Sequence, residues 1–330
     1  MATYQGISGF NIKSLTSDPS NLVEGEIWYN STSGSLKVAP LVAAAWSSGT
    51  ALPGVRWNTS GTGIKTASLC FGGSTGPATP TFLNTTFEGD GTAWTAAPTT
   101  PISSINMFSA GIQTASIGGG GLSSPGANSD AAFTYNGTTW TGITATPEAT
   151  KGAGAAGTST AALIYGSDVP SVSINKDSYS WNGVAWAEEG ALNNDFANGA
   201  SGGPTENTAF KAGSVFSPPE SSNVFETYNG SSWTSGPSLN TPVSQNRGFG
   251  SSAECLSIGG YNQITGVERF DGSSWAAAPV LGTGRKQFAS SNFAASGITS
   301  GWVGGGADLP DGAVEEYTAA AVGAKTITTS

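Results

Sequence analysis

Three sets of residues in this chain have the types needed to act on a substrate. Carboxylate pairs at Glu188-Glu189, Glu315-Glu316 and Asp308 with Asp311 are the kind that protonate and displace a glycosidic oxygen. Arg56, Arg247 and Arg285 each follow a recurring Trp at a comparable distance, so three guanidinium groups could converge on one carboxylate. Loop oxygens at Asn128, Asp130, Asp308 and Asp311 are the hard ligands that calcium takes. The patterns argue against each set. Neighbouring residues of a strand point to opposite faces, so the Glu doublets make poor catalytic pairs and are expected as solvated rim charge. The arginines are expected to join neighbouring units, and no EF-hand or nonapeptide spacing accompanies the loop oxygens. The chain has 0 His, which removes a Ser-His-Asp triad and His-ligated metal. Cys70 and Cys255, each just before a diglycine, read as buried strand thiols. Gly118–Gly121 lacks the Lys-Ser/Thr and helix of a phosphate loop. No catalytic residue, cofactor or metal is assigned.

The elements that would position these residues come from a repeat. Phe/Tyr-Asn/Asp-Gly-Ser/Thr-Ser/Thr-Trp returns at Tyr135–Trp140, Tyr228–Trp233 and Phe270–Trp275, and loosely at Trp181–Trp186 and Phe87–Trp94. With Trp46, the signature residues are Trp46, Trp94, Trp140, Trp186, Trp233 and Trp275, roughly 46 residues apart, the period of a stacked structural unit. Gly-rich strand ends lie upstream: Phe71-Gly72-Gly73, Ile117-Gly118-Gly119, Ile258-Gly259-Gly260 and Val303-Gly304-Gly305. Each unit reads as four short strands. In the fifth they are Phe249–Ala253, Cys255–Gly260, Gly266–Phe270 and Ser274–Ala277, with a type I′ hairpin expected at the Asn-Gly or Asp-Gly step. No segment carries a long 3.6-residue apolar period.

Four-stranded units at this period predict a β-propeller. The last unit has a diglycine and a third strand, Val314–Tyr317, but no Trp; Trp46 has no three strands before it. The fold expected is therefore all-β: a six-bladed propeller of four-stranded antiparallel blades over 41–330. The Trp46 strand closes the blade formed by about 285–320, which removes a free sheet edge. A diglycine, an aromatic and then a Trp, repeated per blade, resembles the kelch family over about 46–320. That resemblance implies the fold and leaves the activity open. Asp271–Trp275 also resembles the Asp-box turn of sialidases, enzymes that need an arginine cluster; the arginines available are Arg56, Arg247, Arg269 and Arg285.

Residues 1–40 stand outside the repeat. Glu26–Asn30 and Ser35–Val38 read as a hairpin with Trp28 and Tyr29 exposed. Two strands alone are marginal in water and need a partner surface. The run from Gly25 to Lys37 resembles the short N-terminal module of structural proteins of tailed bacteriophages, marine ones especially. It implies a virion docking hairpin with Trp28, Tyr29 and Leu36 as contacts to other virion proteins.

Composition narrows the partners. Charged residues are 10% of the chain against roughly 25% usually, while 48 Gly and 10 Trp suit a hydroxyl- and amide-coated β protein. The net charge of −10 lacks the basic stripe that releases phosphate counterions, so no nucleic acid is expected. No apolar run is long enough for a bilayer, and Met1–Gln5 carries no export signal. The expectation is a non-enzymatic virion surface protein: a tail or head fibre, or a decoration protein, assembled in the host cytoplasm as a homo-oligomer and binding a host-surface glycan or receptor. The competing readings are a sialidase- or glycosidase-type propeller and an intracellular kelch scaffold.

Overall fold

The computed structural model describes residues 12–76, 81–124, 126–169, 173–214, 221–292, 298–306 and 312–328. Met1–Gln5, Asp308 and Asp311 lie outside them. The chain divides into two compact units, Met1–Ala45 with Ala319–Ser330, and Trp46–Thr318. Both are built from strands; the described helical structure is one 3-10 turn, Glu206–Thr208.

The larger unit contains six four-stranded sheets. The first is Ser60–Ile64, Ala67–Phe71, Thr86–Gly89 and Trp94–Ala97. The second is Phe108–Ile112, Ala115–Gly119, Ala132–Tyr135 and Trp140–Ile143. The third is Gly154–Gly157, Ala162–Val169, Ser173–Trp181 and Trp186–Glu188. The fourth is Ala200–Gly202, Phe210–Ala212, Phe225–Tyr228 and Trp233–Ser235. The fifth is Arg247–Ser251, Glu254–Ile258, Val267–Phe270 and Trp275–Ala277, within two residues of the expected strands. These five sheets run antiparallel in chain order. The sixth takes Ala289–Ser290, Ser300–Gly304 and Val314–Thr318, and its fourth strand is Ala45–Gly49. Ser47 Oγ donates to Glu316 O across that last pairing.

The repeated Trp opens the fourth strand in five sheets and sits in the fourth strand of the sixth. Its indole reaches the preceding sheet. Trp140 packs edge-on against Phe71 at 4.9 Å, Trp186 against Phe108 and Trp275 against Phe225, while Trp233 is tilted against Tyr165. Trp46 of the sixth sheet meets Phe249 of the fifth. Trp94 of the first sheet meets Trp302 of the sixth at 5.2 Å. Indole N–H donors fix the contacts: Trp140 Nε1 to Thr86 Oγ1, Trp233 Nε1 to Ser178 Oγ and Trp275 Nε1 to Pro237 O. An aromatic with a polar handle suits such a junction, because its ring buries apolar area while its N–H finds an acceptor.

The hairpin before each Trp departs from the expected type I′ turn. Positive φ occurs at the glycine alone, for example Gly137 at 88° and Gly272 at 97°. Tyr135 pairs with Trp140, so the two central residues are Gly137 and Thr138, and positive φ at the first of them is the type II′ pattern. The Asn or Asp stands one place earlier and acts through its side chain. Asn136 Oδ1 accepts from Thr138 N and Thr139 N, Asn229 Oδ1 from Ser231 N and Ser232 N. Asp271 Oδ1 accepts from Ser273 N and Ser274 N. The Ser274 and Ser273 bonds hold the Asp271 carboxyl down to about 2. Gly137→Ala is expected to cost about 1 kcal/mol, because a Cβ disfavours that φ, whereas Gly142→Ala, in a strand at ordinary φ with open space around it, should cost less. Urea melts of the two variants check the difference.

The smaller unit extends the expected hairpin. Ile27–Asn30 and Ser35–Val38 pair antiparallel. Lys13–Leu15 adds in parallel beside the first, and Lys325–Thr326 beside the second. Leu41–Val42 and Ala321–Val322 form a separate two-stranded ladder. The partner surface that two strands alone would lack is supplied by both ends of the chain.

Candidate functional site

The first strands of the six sheets converge on one feature. Two residues before each strand stands a residue in the left-handed region: Asn58, Asn106, Gly152, Asn198, Gln245 and Gln287, with φ of 49°, 55°, 70°, 54°, 55° and 55°. Their backbones are strung together. Asn106 N donates to Asn58 O, Gly152 N to Asn106 O and Asn198 N to Gly152 O. Gln287 N donates to Gln245 O, and Asn58 N to Gln287 O at 2.8 Å. First-strand hydroxyls tie neighbours further: Ser60 Oγ donates to Met107 O, Ser109 Oγ to Gly61 O and Ser290 Oγ to Gly248 O.

Asn106, Gly152 and Asn198 of this set, with Ser60, Ser109 and Ser290, border a cavity of about 40 Å³. All six sheets contribute to its wall, through Ser60, Phe108, Ala155, Ser201, Arg247 and Ser290 among others. Asn106 and Asn198 stand in the wall, 8% and 6% exposed. Asn292, 7% exposed, also lines it, its Nδ2 donating to Ser109 O and Ala155 O. The Oδ1 atoms of Asn106, Asn198 and Asn292 are buried without a hydrogen-bond partner. Arg247 contributes a guanidinium whose Nε donates to Phe288 O and Nη1 to Asn246 O. Burial pushes its pKa down to about 10, which still leaves it charged at neutral pH.

The three arginines singled out by spacing therefore separate. Arg56 and Arg285 turn into equivalent places in their own sheets. Arg56 Nη1 donates to Gly72 O and Arg285 Nη1 to Gly305 O, both at the diglycine ends. Arg56 stacks 4.5 Å over the Phe87 ring, and Arg285 pairs with Glu315 at 2.7 Å. Each fastens the chain entering a sheet to that sheet's second and third strands. Arg247 alone faces the cavity.

The carboxylate doublets divide as strand geometry requires, but one expectation is corrected. Glu315 is 6% exposed, not rim charge. Its Oε2 accepts from Gly282 N and its Oε1 from Thr283 N. Glu226 and Glu268 do the same for Asn193-Asn194 and Asn240-Thr241. In each of these three sheets a third-strand glutamate clasps the loop arriving from the sheet before. The shared string, apolar-Glu-x-aromatic at Phe225–Tyr228, Val267–Phe270 and Val314–Tyr317, was the signal available for this role. Glu189 accepts from Ser180 Oγ and Tyr228 OH, while Glu188 is exposed. Among the described residues no group of three His, Cys, Asp or Glu is placed to hold a metal. Asn128 Nδ2 instead bonds Asp168 O. Cys70 and Cys255 are free, buried strand thiols, as their surroundings in the sequence indicated.

In the smaller unit the exposure expected of Trp28 is corrected. Trp28 is 0% exposed, and its Nε1 donates to Asp18 Oδ1 at 3.0 Å, an atom that also accepts from Asn30 Nδ2. Those two bonds, Asn30 first, lower the Asp18 pKa. The indole is the core of its own small sheet. Tyr29 is 40% exposed and Leu36 is intermediate. No protein-family model matches the chain, and no curated protein is similar enough to it to count as a relative.

Proposed function

We propose that Trp46–Thr318 is one closed, six-bladed β-propeller of kelch-like type carried by a non-enzymatic virion protein of a tailed bacteriophage. The hydrogen bond from Asn58 N to Gln287 O carries the propeller reading. It makes the first sheet and the sixth neighbours, as does the Trp94–Trp302 contact. Sheets that adjoin in chain order and also adjoin end to end form a ring. The Ala45–Gly49 strand then closes the last blade.

The role rests on the Gly25–Lys37 run and on how the charged groups are used. Residues 1–40 attach the chain to other virion proteins, and the ring faces the host surface. Glu226, Glu268, Glu315, Arg56 and Arg285 are engaged in holding loops and strand ends. That use favours recognition by a polar mouth over bond cleavage. Several copies in a particle would turn weak glycan contacts into avid ones. Two measurements test this together: immunogold labelling of intact particles with an antibody to the ring, and a glycan array probed with the purified full chain. Labelled particles and retained array glycans are expected. Unlabelled particles defeat the virion assignment, and release of reducing ends from array glycans defeats the non-enzymatic one.

A further inference from the structure

The three clasping glutamates are not matched alike. Glu226 and Glu315 each carry a buried cation on Oε1, Lys211 Nζ at 3.1 Å and Arg285 Nη2 at 2.7 Å. The two cations come from different places in the repeat. Lys211 stands on the second strand, opposite Glu226 in register. Arg285 stands two residues before the left-handed Gln287. In the fifth sheet those places hold Ser257, opposite Glu268 in register, and Val243, two residues before Gln245. Neither brings a charge, and no ion pair among the described residues includes Glu268. Its Oε2 accepts from Asn240 N and Nδ2, but its Oε1 from Thr241 N alone. A carboxylate oxygen can accept two donors. The spare acceptor is therefore on the atom that takes the cation in the other two sheets.

A cavity of about 250 Å³ lies among the same residues. Leu239, Val243, Ile264, Val267 and Val280 give it aliphatic walls, and Ser257 and Glu268 also line it. Val280 is 59% exposed and Glu268 is half-buried, so a ligand can enter and reach the carboxylate. The walls select its chemistry. An anion is repelled by Glu268. A purely apolar group would take the carboxylate out of water with nothing in return. A lysine side chain suits both parts, its stem on the aliphatic walls and its ammonium on Oε1. Its five heavy atoms, at roughly 30 Å³ each, fit the volume. The fourth sheet shows the filled arrangement: Lys211 Nζ meets Glu226 and lies 5.6 Å from the centre of the Phe196 ring, Phe196 standing where the fifth sheet has Val243. A five-atom contact open at its rim is weak alone, which favours a lysine held by a larger partner over a free amine.

We propose that this pocket of the fifth sheet receives a lysine side chain of a partner protein, with Glu268 as its counter-ion. The inference needs neither the virion nor the glycan assignment. The test is a titration of the full chain with Nα-acetyl-lysine-methylamide, its norleucine counterpart and n-butylammonium, followed on the methyl NMR signals of Val243, Ile264 and Val280. The lysine probe should shift these methyls and bind at least about tenfold more tightly than the norleucine probe. Glu268→Gln should weaken it by about tenfold or more. Ser257→Lys should abolish binding, because the new side chain occupies the pocket and pairs with Glu268 as Lys211 does with Glu226. Arg269→Gln, at an exposed pair with Glu254, should leave binding unchanged. If Glu268→Gln fails to fold, Ser257→Lys decides. Unmoved methyls, equal binding of the norleucine probe, or lysine binding that survives either pocket variant overturns the site. Butylammonium binding about tenfold more tightly than the lysine probe makes this a free-amine site and overturns the partner.

Discussion

Trp302→Ala will lower the unfolding free energy by about 3–5 kcal/mol, the cost of emptying a large aromatic site. Trp302 is 1% exposed and belongs to a cluster with Leu52, Cys70, Ala289 and Val314. Its ring meets Trp94 of the first sheet, and its Nε1 donates to Thr62 O, also of the first sheet. The loss falls where the two ends of the repeat meet. Gly61 shows how closely the site is filled: a Cβ there would lie 2.8 Å from the Trp302 ring, so backbone movement is needed before the void can collapse. Trp302→Phe keeps much of the packing, loses the donor, and should cost clearly less. Denaturant unfolding of both variants measures this; a loss under about 1 kcal/mol for Trp302→Ala would show that the junction is not filled as described.

Glu226→Ala is the second large effect, again about 3–5 kcal/mol, because it strands a buried cation. Lys211 Nζ lies 3.1 Å from Glu226 Oε1, with the side chains 1% and 0% exposed. The carboxylate also accepts from Asn193 N and Nδ2 and from Asn194 N and Nδ2. Lys211→Met should cost much less, since Glu226 keeps those four donors. Equal losses from the two changes would refute this asymmetry.

The same carboxylate predicts an acid dependence. Burial raises its pKa, but the Asn194 bond and the Lys211 charge outweigh it, and the net result lies below the ordinary 4.5. Between that depressed value and 4.5 the unfolded chain binds the proton and the folded chain does not. The stabilisation is complete above 4.5 and is lost as pH falls through the folded value. Unfolding midpoints of the parent should therefore drop in acid more steeply than those of Glu226→Ala.

The parts legible in the sequence are those set by local chemistry at a fixed period. An Asn/Asp-Gly step before a Trp announces a hairpin and its outer strand, and the missing Trp of the last unit points to Trp46. The turn type was less legible, because the Asn acts through its side chain and leaves the central positions to Gly and its neighbour. The left-handed set was illegible for another reason. Asn, Asn, Gly, Asn, Gln and Gln share a backbone conformation and no side chain, so no motif marks them. Trp28 misled because its partner, Asp18, lies outside the hairpin, and because one of the strands flanking that hairpin, Lys325–Thr326, comes from a distant part of the chain.

The strand Ala45–Gly49 leaves the ribosome before any of the five chain-ordered sheets, yet its pairing strand, Val314–Thr318, is made after all of them. During synthesis the early segment must wait unpaired while five complete sheets form behind it. A message truncated before Val314 would yield a polypeptide with that strand still seeking a mate, a natural substrate for cellular proteolysis.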